Sequence, residues 1–492
     1  MKRSAGILLP VTSLPSPYGI GTLGRQAYQF ADLLHKLGQA YWQVLPLGPT
    51  GFGDSPYQSF SSFAGNPYMI DLDQLAEEGL LQKKEYADLD WGKDPRKIDY
   101  GKIYNSRFTV LKKAVDRLYK NRPADLDDFL KQEKFWLDDY AMYMSVKNHL
   151  GGKPVSEWPE DIRRRQPEAM ARTEFMRRED IRFWKGMQYL FFKQWKKLRT
   201  YCNAKDIRII GDLPIYVSQD SVEVWAHPEI FQMDEKGKSK DVAGCPPDGF
   251  TADGQLWGNP LYDWDYLRKT DYAWWVDRIA QQMKFYDVLR IDHFRGFAGY
   301  YAIPAGDKNA RRGVWKKGPG IDLFKAVEKK LGRLNIIAED LGFLTEDVTQ
   351  MLEESGFPGM KVLECAFDSR KEPSAYLPHF HKPNCVVYPG THDNETLCGW
   401  AENLTEEKKQ YIRDYLHITD DEPINRAIIR TVYASTADTV ILQYQDVLEL
   451  GNEARMNEPS TTGKNWVWRM KNMHVSREMT ALLKEYKALY SR

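Results

Sequence analysis

An arginine and an aspartate two positions apart interrupt an apolar run near the middle of the chain. The run reads Asp287-Val-Leu-Arg-Ile-Asp-His-Phe294 and contains Arg290 and Asp292. Because residues two apart in an extended strand point to the same face, these two side chains should emerge side by side. A neighbouring cation keeps a carboxylate ionised, which suits a nucleophile better than a proton donor. The alternative is that Arg290 and Asp292 form only a structural ion pair. The other acids of the chain decide between a nucleophile and such a pair.

Three further acids follow apolar runs that have the composition of buried strands: Asp212, Glu339 and Asp393. Glu339 comes directly after an isoleucine-rich run at 336–338, where loss of water would raise its pKa and keep its proton available. The alternation of side chains in a strand does not decide whether Glu339 or its neighbour Asp340 points inward.

Carboxyl groups in opposite protonation states are the groups that cleave glycosidic bonds. On this interpretation Asp292 is the charged nucleophile and Glu339 the proton donor, while His392 and Asp393 add a donor for sugar hydroxyls and a third carboxylate. Arg290 would compete with a metal ion at this point, and the sequence contains neither an HExxH motif nor a P-loop. We therefore expect no metal and no cofactor.

Eight strand-like runs, separated by long and mostly helical connections, indicate the fold. This pattern favours a (β/α)8 TIM barrel over an open sheet. Active sites of such barrels lie at the carboxyl ends of the strands, where the four acids fall. The runs lie at 7–11, 41–47, 207–217, 288–291, 335–342, 359–367, 384–394 and 439–445.

Two segments interrupt the barrel pattern, although we interpret residues 1–492 as a single catalytic barrel. Residues 52–200 predict a mainly helical insertion, and its first loop presents Tyr57 among hydroxyl-bearing residues. Residues 218–275 predict a loop-rich insertion, in which Trp257 is either a platform for a sugar ring or a packed anchor of the loop. The motif Gly19-Ile-Gly21-Thr-Leu-Gly24 has dinucleotide-type spacing, but it does not follow its strand directly, so its glycines predict a loop.

Composition excludes several classes of partner. The 69 basic and 69 acidic side chains balance, which leaves no excess charge to attract nucleic acid or an anionic membrane. The apolar runs are too short to cross a membrane. The five scattered cysteines predict reduced thiols and a cytoplasmic protein.

Five motifs together resemble glycoside hydrolase family 77, the amylomaltases or disproportionating 4-α-glucanotransferases. The resemblance runs essentially from end to end, and it implies a barrel with subdomains around the cleft and no C-terminal β-sandwich. The motifs are SPYQSFSSFAGNPY at 55–68, GDLPIYV at 211–217, LRIDHFRG at 289–296, AEDLG at 338–342 and GTHDN at 390–394.

The resemblance assigns a role to each candidate residue. It implies that Asp292 is the nucleophile, that Glu339 rather than Asp340 is the acid/base, and that Asp393 stabilises the transition state. The substrate-binding residues that it implies are Arg290, His392, the acid Asp212, the aromatic Tyr57 and Trp257, and Asn465.

The implied reaction is transfer of α-1,4-glucan segments by a retaining double displacement through a glycosyl-Asp intermediate. Donors would be maltooligosaccharides and starch- or glycogen-derived glucans, and glucose would serve as an acceptor. The alternatives are an α-1,4-glucan hydrolase and a glucan-binding barrel without activity. The intact set of three carboxylates argues against the second alternative.

Overall fold

A barrel of parallel strands forms the centre of the protein in a computed structural model that describes residues 3–247, 252–342, 344–419 and 421–492. The strands, numbered along the chain, are β1 (Ser4–Leu8), β2 (Tyr41–Gln43), β3 (Arg208–Leu213), β4 (Asp241–Cys245), β5 (Gln255–Pro260), β6 (Val288–Ile291), β7 (Gly299–Pro304), β8 (Val314–Lys317), β9 (Ile336–Ala338), β10 (Gly359–Val362), β11 (Cys385–Tyr388) and β12 (Thr439–Gln443).

Eight of these strands pair in parallel in the order β10-β11-β12-β1-β2-β3-β6-β9. The two ends of this sheet meet, because the amide of Ala338 in β9 donates to the carbonyl of Pro358, just before β10, at 2.9 Å. Each of the eight strands overlaps one of the predicted runs, so the prediction of a (β/α)8 barrel is confirmed. Six of the strands are shorter than their runs; β3, for example, ends at Leu213 because Pro214 lacks an amide hydrogen for the ladder.

Helices surround the barrel and build most of the connections. They are α1 (Arg25–Lys36), α2 (Leu72–Glu77), α3 (Tyr100–Asn121), α4 (Ala124–Gln132), α5 (Lys134–His149), α6 (Glu160–Arg163), α7 (Pro167–Met176), α8 (Arg178–Asn203), α9 (Val222–Ala226), α10 (Trp264–Lys269), α11 (Ala273–Phe285), α12 (Ile321–Leu331), α13 (Glu346–Ser355), α14 (Leu397–Asn403), α15 (Glu406–Leu416), α16 (Ile424–Ala434), α17 (Tyr444–Val447) and α18 (Arg477–Leu489). Among the described helices, none combines the length and apolar character needed to cross a membrane.

Helix α8 joins the helices that follow β2 to the barrel. Its first turn carries two acids, which stabilise the positive end of the helix dipole, and its inner face is lined with aromatic residues. The indole of Trp195 donates to the carbonyl of Phe285 at 3.0 Å, and Arg199 forms an ion pair with Asp287 at the start of β6 at 2.7 Å. Helix α8 is thereby attached directly to the strand that precedes Asp292.

A second, antiparallel sheet of four strands lies outside the barrel in the order β5-β4-β7-β8. The sequence did not predict it. Two of its strands, β4 and β5, belong to the segment predicted to be loop-rich, but β7 and β8 come from beyond it. Strand β4 pairs with β7, which lies far away in the sequence. The sheet therefore depends on a tertiary contact that local sequence patterns do not reveal. Residues 248–251 of that segment lie outside the described residues.

Candidate active site

Arg290 links two strand-end carboxylates inside the barrel. The register of β3 and β6 pairs Asp212 with Arg290, and one guanidinium nitrogen lies 2.6 Å from Asp212 Oδ1. A second nitrogen lies 3.0 Å from Asp292 Oδ1, so Arg290 and Asp292 do emerge on the same side. The side chain of Arg290 is 3% exposed, whereas that of Asp292 retains 28% exposure.

The ionisation of Asp292 differs from the sequence-based expectation. Burial raises the pKa of Asp292 to about 8, Arg290 lowers it, and the carboxylates of Asp212, Glu339 and Asp393 raise it further. Arg290 lowers the pKa as expected, but burial and the neighbouring carboxylates outweigh its effect, so the pKa of Asp292 is raised overall. The reason is that Arg290 is shared with Asp212, so its charge does not offset both the burial and the neighbouring negative charges.

Glu339 is held at the end of β9 by two backbone donors. The amide of His293 donates to Oε2 at 2.7 Å, and the amide of Leu341 donates to Oε1 at 2.8 Å. His293 presents its amide because it adopts a left-handed backbone conformation (φ 52°, ψ 49°) directly after Asp292. Burial raises the pKa of Glu339, and Arg290 and the two amides lower it. The turn after Asp292 therefore positions a second carboxyl group.

Asp340 points away from this site. Its carboxylate accepts a hydrogen bond from the amide of Met360 in β10 at 2.6 Å, and the residue is 4% exposed. Glu339 is therefore the member of this pair whose carboxyl group contacts the turn after Asp292.

Tyr57 connects the first long loop to the strand-end acids. Its hydroxyl donates to Asp212 Oδ2 at 2.7 Å and lies 2.7 Å from His392 Nε2, with the two rings stacked. Because the tyrosine has one proton to give, the Nε2–H of a neutral His392 must donate to the tyrosine oxygen. Burial lowers the pKa of His392, in agreement with that neutral form. Asp212, with both oxygens engaged and 1% exposed, holds Arg290 and Tyr57 in place.

Asp393 lies on the turn after β11, and its side chain is 42% exposed, compared with 28% for Asp292. Its Oδ1 accepts a hydrogen bond from Asn457 Nδ2 at 2.6 Å, and its Oδ2 lies 3.3 Å from His392 Nε2. The sequence did not single out Asn457, which lies in a loop and has no periodic pattern around it.

Trp257 reaches the site through His293. Its indole meets the imidazole edge to face at 4.9 Å, and it lies on β5 with part of its surface exposed. Burial lowers the pKa of His293 to about 3, so this ring is neutral. Trp257 therefore contacts the turn that carries Asp292. This position is compatible both with a platform for a sugar ring and with a packed anchor of the loop.

Asn465 forms hydrogen bonds within its own loop. Its amide oxygen accepts a hydrogen bond from the amide of Glu458 at 3.0 Å, and its amide nitrogen donates to the carbonyl of Thr461 at 3.0 Å. Its neighbour Trp466 contacts the rings of Tyr57 and His392 with centroids 5.7 and 6.1 Å apart. Trp466 directly follows Asn465 in the sequence, and this adjacency was the available signal.

Comparison with known proteins agrees with the motifs. The family model described as 4-alpha-glucanotransferase matches residues 9–476. A 4-alpha-glucanotransferase of Clostridium butyricum is 47% identical over 484 residues, covering 98% of this chain and 99% of its own. That of Thermus thermophilus is 43% identical over 496 residues and covers 98% of each chain.

A solved structure agrees as well. The amylomaltase from Streptococcus agalactiae in complex with acarbose superposes with a TM-score of 0.97 at 46% identity, over 100% of both chains. Since the family model spans almost the whole sequence and these relatives align over nearly their full length, the chain belongs to glycoside hydrolase family 77, the 4-alpha-glucanotransferases.

Proposed function

We propose that this enzyme moves segments of α-1,4-glucan from a donor maltooligosaccharide to the 4-hydroxyl of an acceptor glucan or of glucose. The proposed route is a retaining double displacement through a glycosyl ester of Asp292. The observation that carries the proposal is the pair formed by Asp292 and Glu339, two carboxyl groups joined by the His293 amide and both near Arg290. Burial raises the pKa of both carboxyl groups, and this chemistry requires such a pair in opposite protonation states.

In the first half-reaction, Asp292 attacks C1 of the donor sugar while Glu339 gives its proton to the departing glycosidic oxygen. The C1–O4 bond breaks, a C1–Oδ ester bond forms, and the shortened glucan leaves with the proton. The Arg290 guanidinium, 3.0 Å from Asp292, stabilises the carboxylate that attacks.

In the second half-reaction, Glu339 is a carboxylate and acts as the base. It takes the proton from the 4-hydroxyl of the acceptor, whose oxygen attacks C1 and releases Asp292. The two inversions restore the α configuration. The two amide donors favour the carboxylate form of Glu339, which is the form that this half-reaction requires.

Asp393 and the ring pair of Tyr57 and His392 bind the sugar at the cleavage point. A positive charge develops on the sugar ring in the transition state, so a partly exposed carboxylate beside the ring lowers the barrier. The ring of His392, which stacks on Tyr57, lies 3.3 Å from this carboxylate.

Preference for transfer over hydrolysis requires a bound acceptor and a poor position for water. Trp257 on β5, the ring of Tyr57 and the neighbouring Trp466 offer aromatic surfaces on which sugar rings stack. We expect maltotriose alone to yield glucose together with maltopentaose and longer chains, with little gain in reducing ends. Chromatography of the products and a reducing-end assay measure both quantities.

Labelled glucose provides the control for this experiment, because it should be incorporated at the reducing end of the products. The alternative function, hydrolysis of α-1,4-glucans, predicts a steady rise in reducing ends and products no longer than the substrate. An inactive glucan-binding barrel predicts no turnover of maltotriose.

Replacing Arg290 with alanine should impair both catalysis and stability. The pKa of Asp292 should rise when the cation is lost, so the nucleophile would ionise only at higher pH and the acid limb of kcat/KM should shift upward. Turnover should fall about 100-fold or more. The free energy of unfolding should fall by about 3–5 kcal/mol, because Asp212 is left as an unpaired buried charge.

The control is Arg107→Ala, which removes an equally buried arginine from the helical insertion. It should lower the melting temperature without moving the acid limb. An Arg290 variant that loses stability but keeps its pH profile would show a structural ion pair and contradict the proposed role.

A further inference from the structure

The turn that carries Asp393 is attached to the segment after α17 by three side chains. Asn452 Oδ1 accepts a hydrogen bond from the amide of Thr396 at 3.2 Å, and Arg455 Nη2 donates to the carbonyl of Asp393 at 2.9 Å. Asn457 Nδ2 donates to the Asp393 carboxylate at 2.6 Å. The first two contacts hold the backbone of the turn, whereas the third holds the functional group itself.

The hydrogen bond from Asn457 gives the two carboxylate oxygens of Asp393 different environments. A carboxylate only accepts, so the amide nitrogen of Asn457 must face Oδ1. Oδ2 has a longer contact, 3.3 Å, with His392 Nε2, which lies nearer to Tyr57 at 2.7 Å. Oδ1 is therefore fixed and Oδ2 is left to bind a ligand. Because an amide is neutral, it orients the carboxylate without cancelling its charge.

Arg455 fixes the position from which Asn457 donates. Its Nε donates to the carbonyl of Asn457 at 2.8 Å while its Nη2 donates to the carbonyl of Asp393. One planar guanidinium thus bonds the backbones of both residues. It thereby fixes the distance between the side-chain amide of Asn457 and the carboxylate of Asp393.

We infer that Asn457 is a positioning residue for the reaction, which sets the orientation of the Asp393 carboxylate through a neutral hydrogen bond. The inference rests on the proposed function, in which that carboxylate faces the developing charge. The effect of such a group depends on its geometry, since a shift of about 1 Å costs as much as 100-fold in rate.

The test compares Asn457→Ala and Asn457→Asp with the unaltered enzyme in disproportionation of maltotriose. The alanine variant should lose about 10- to 100-fold in kcat, with KM changed by less than about threefold and an unchanged melting temperature. In the aspartate variant a second negative charge faces Asp393. At neutral pH this variant should therefore be the least active of the three enzymes. It should recover partly as the pH falls, because a protonated Asp side chain can donate the missing hydrogen bond.

Asn403→Ala is the matched control, because Asn403 bonds the side chain of Glu395 on the same turn without reaching the carboxylate. It should leave kcat and the pH profile unchanged. A partial recovery of the aspartate variant at low pH is a result that a merely structural role for Asn457 would not produce.

Asp393→Asn, measured in parallel, separates failure of this inference from failure of the proposed function. An inactive Asp393→Asn together with unaltered kcat in Asn457→Ala would overturn the inference alone. A fully active Asp393→Asn would overturn the role of Asp393 and the inference with it. When the two changes are combined, Asn457→Ala should cost little beyond Asp393→Asn, because both remove the same oriented carboxylate.

Discussion

Asp292→Asn should abolish transfer, with a loss of about 10⁴-fold or more in turnover of maltotriose. An amide cannot form the glycosyl ester, so the double displacement has no first step. The fold should persist, because asparagine has the same size and can still accept a hydrogen bond from Arg290, which lies 3.0 Å from Asp292 Oδ1. Measurement of kcat and the melting temperature on one preparation tests both statements.

Asp287→Asn is the matched control at the opposite end of the same strand. Asp287 forms an ion pair with Arg199 at 2.7 Å and accepts a hydrogen bond from the amide of Ile209. Its replacement should lower the melting temperature while the enzyme retains its turnover. Substantial transfer by Asp292→Asn, above what contaminating enzyme explains, would contradict the assignment of the nucleophile.

Glu339→Gln should separate the two half-reactions. With maltotriose, whose leaving group requires a proton, turnover should fall about 100- to 10⁴-fold. A glycosyl fluoride of the same chain needs little acid assistance to leave, so its first step should remain fast and only the second should be slow. Azide, which attacks without a base, should then restore turnover.

Asp340→Asn tests whether the acid/base is the correct member of the pair. Its carboxylate bonds Met360 in β10, away from the turn after Asp292, so the change should affect stability and leave turnover within a few-fold. Azide rescue of Asp340→Asn together with an active Glu339→Gln would reverse the assignment.

The barrel could be predicted from sequence because its strands are buried on both faces and are therefore continuous apolar runs. The strand-end acids could be predicted for the same reason, since a carboxylate directly after such a run stands out. The outer sheet could not, because β4 and β8 have partly exposed residues and gain their structure from partners distant in the chain.

The electrostatics of the site could be predicted only in part. The ion pair of Arg290 with Asp292 follows from a spacing of two, but the competing pair with Asp212 depends on the register between β3 and β6. That register is a tertiary property, and because it makes Arg290 shared with Asp212, the cation does not offset the burial and the negative charges that raise the pKa of Asp292. Asn457 and Trp466 were missed because they lie in loops, where no periodicity marks a side chain that points inward.

The central claim is that a glucan chain becomes covalently attached to Asp292, and mass spectrometry tests it most directly. Glu339→Gln should be mixed with an α-maltotriosyl fluoride, quenched in acid and digested. We expect one peptide containing Asp292 that is heavier by the maltotriosyl group, and release of that group when azide is added before quenching. Rapid consumption of the fluoride with every peptide unmodified, or with the sugar on a residue other than Asp292, would contradict the account.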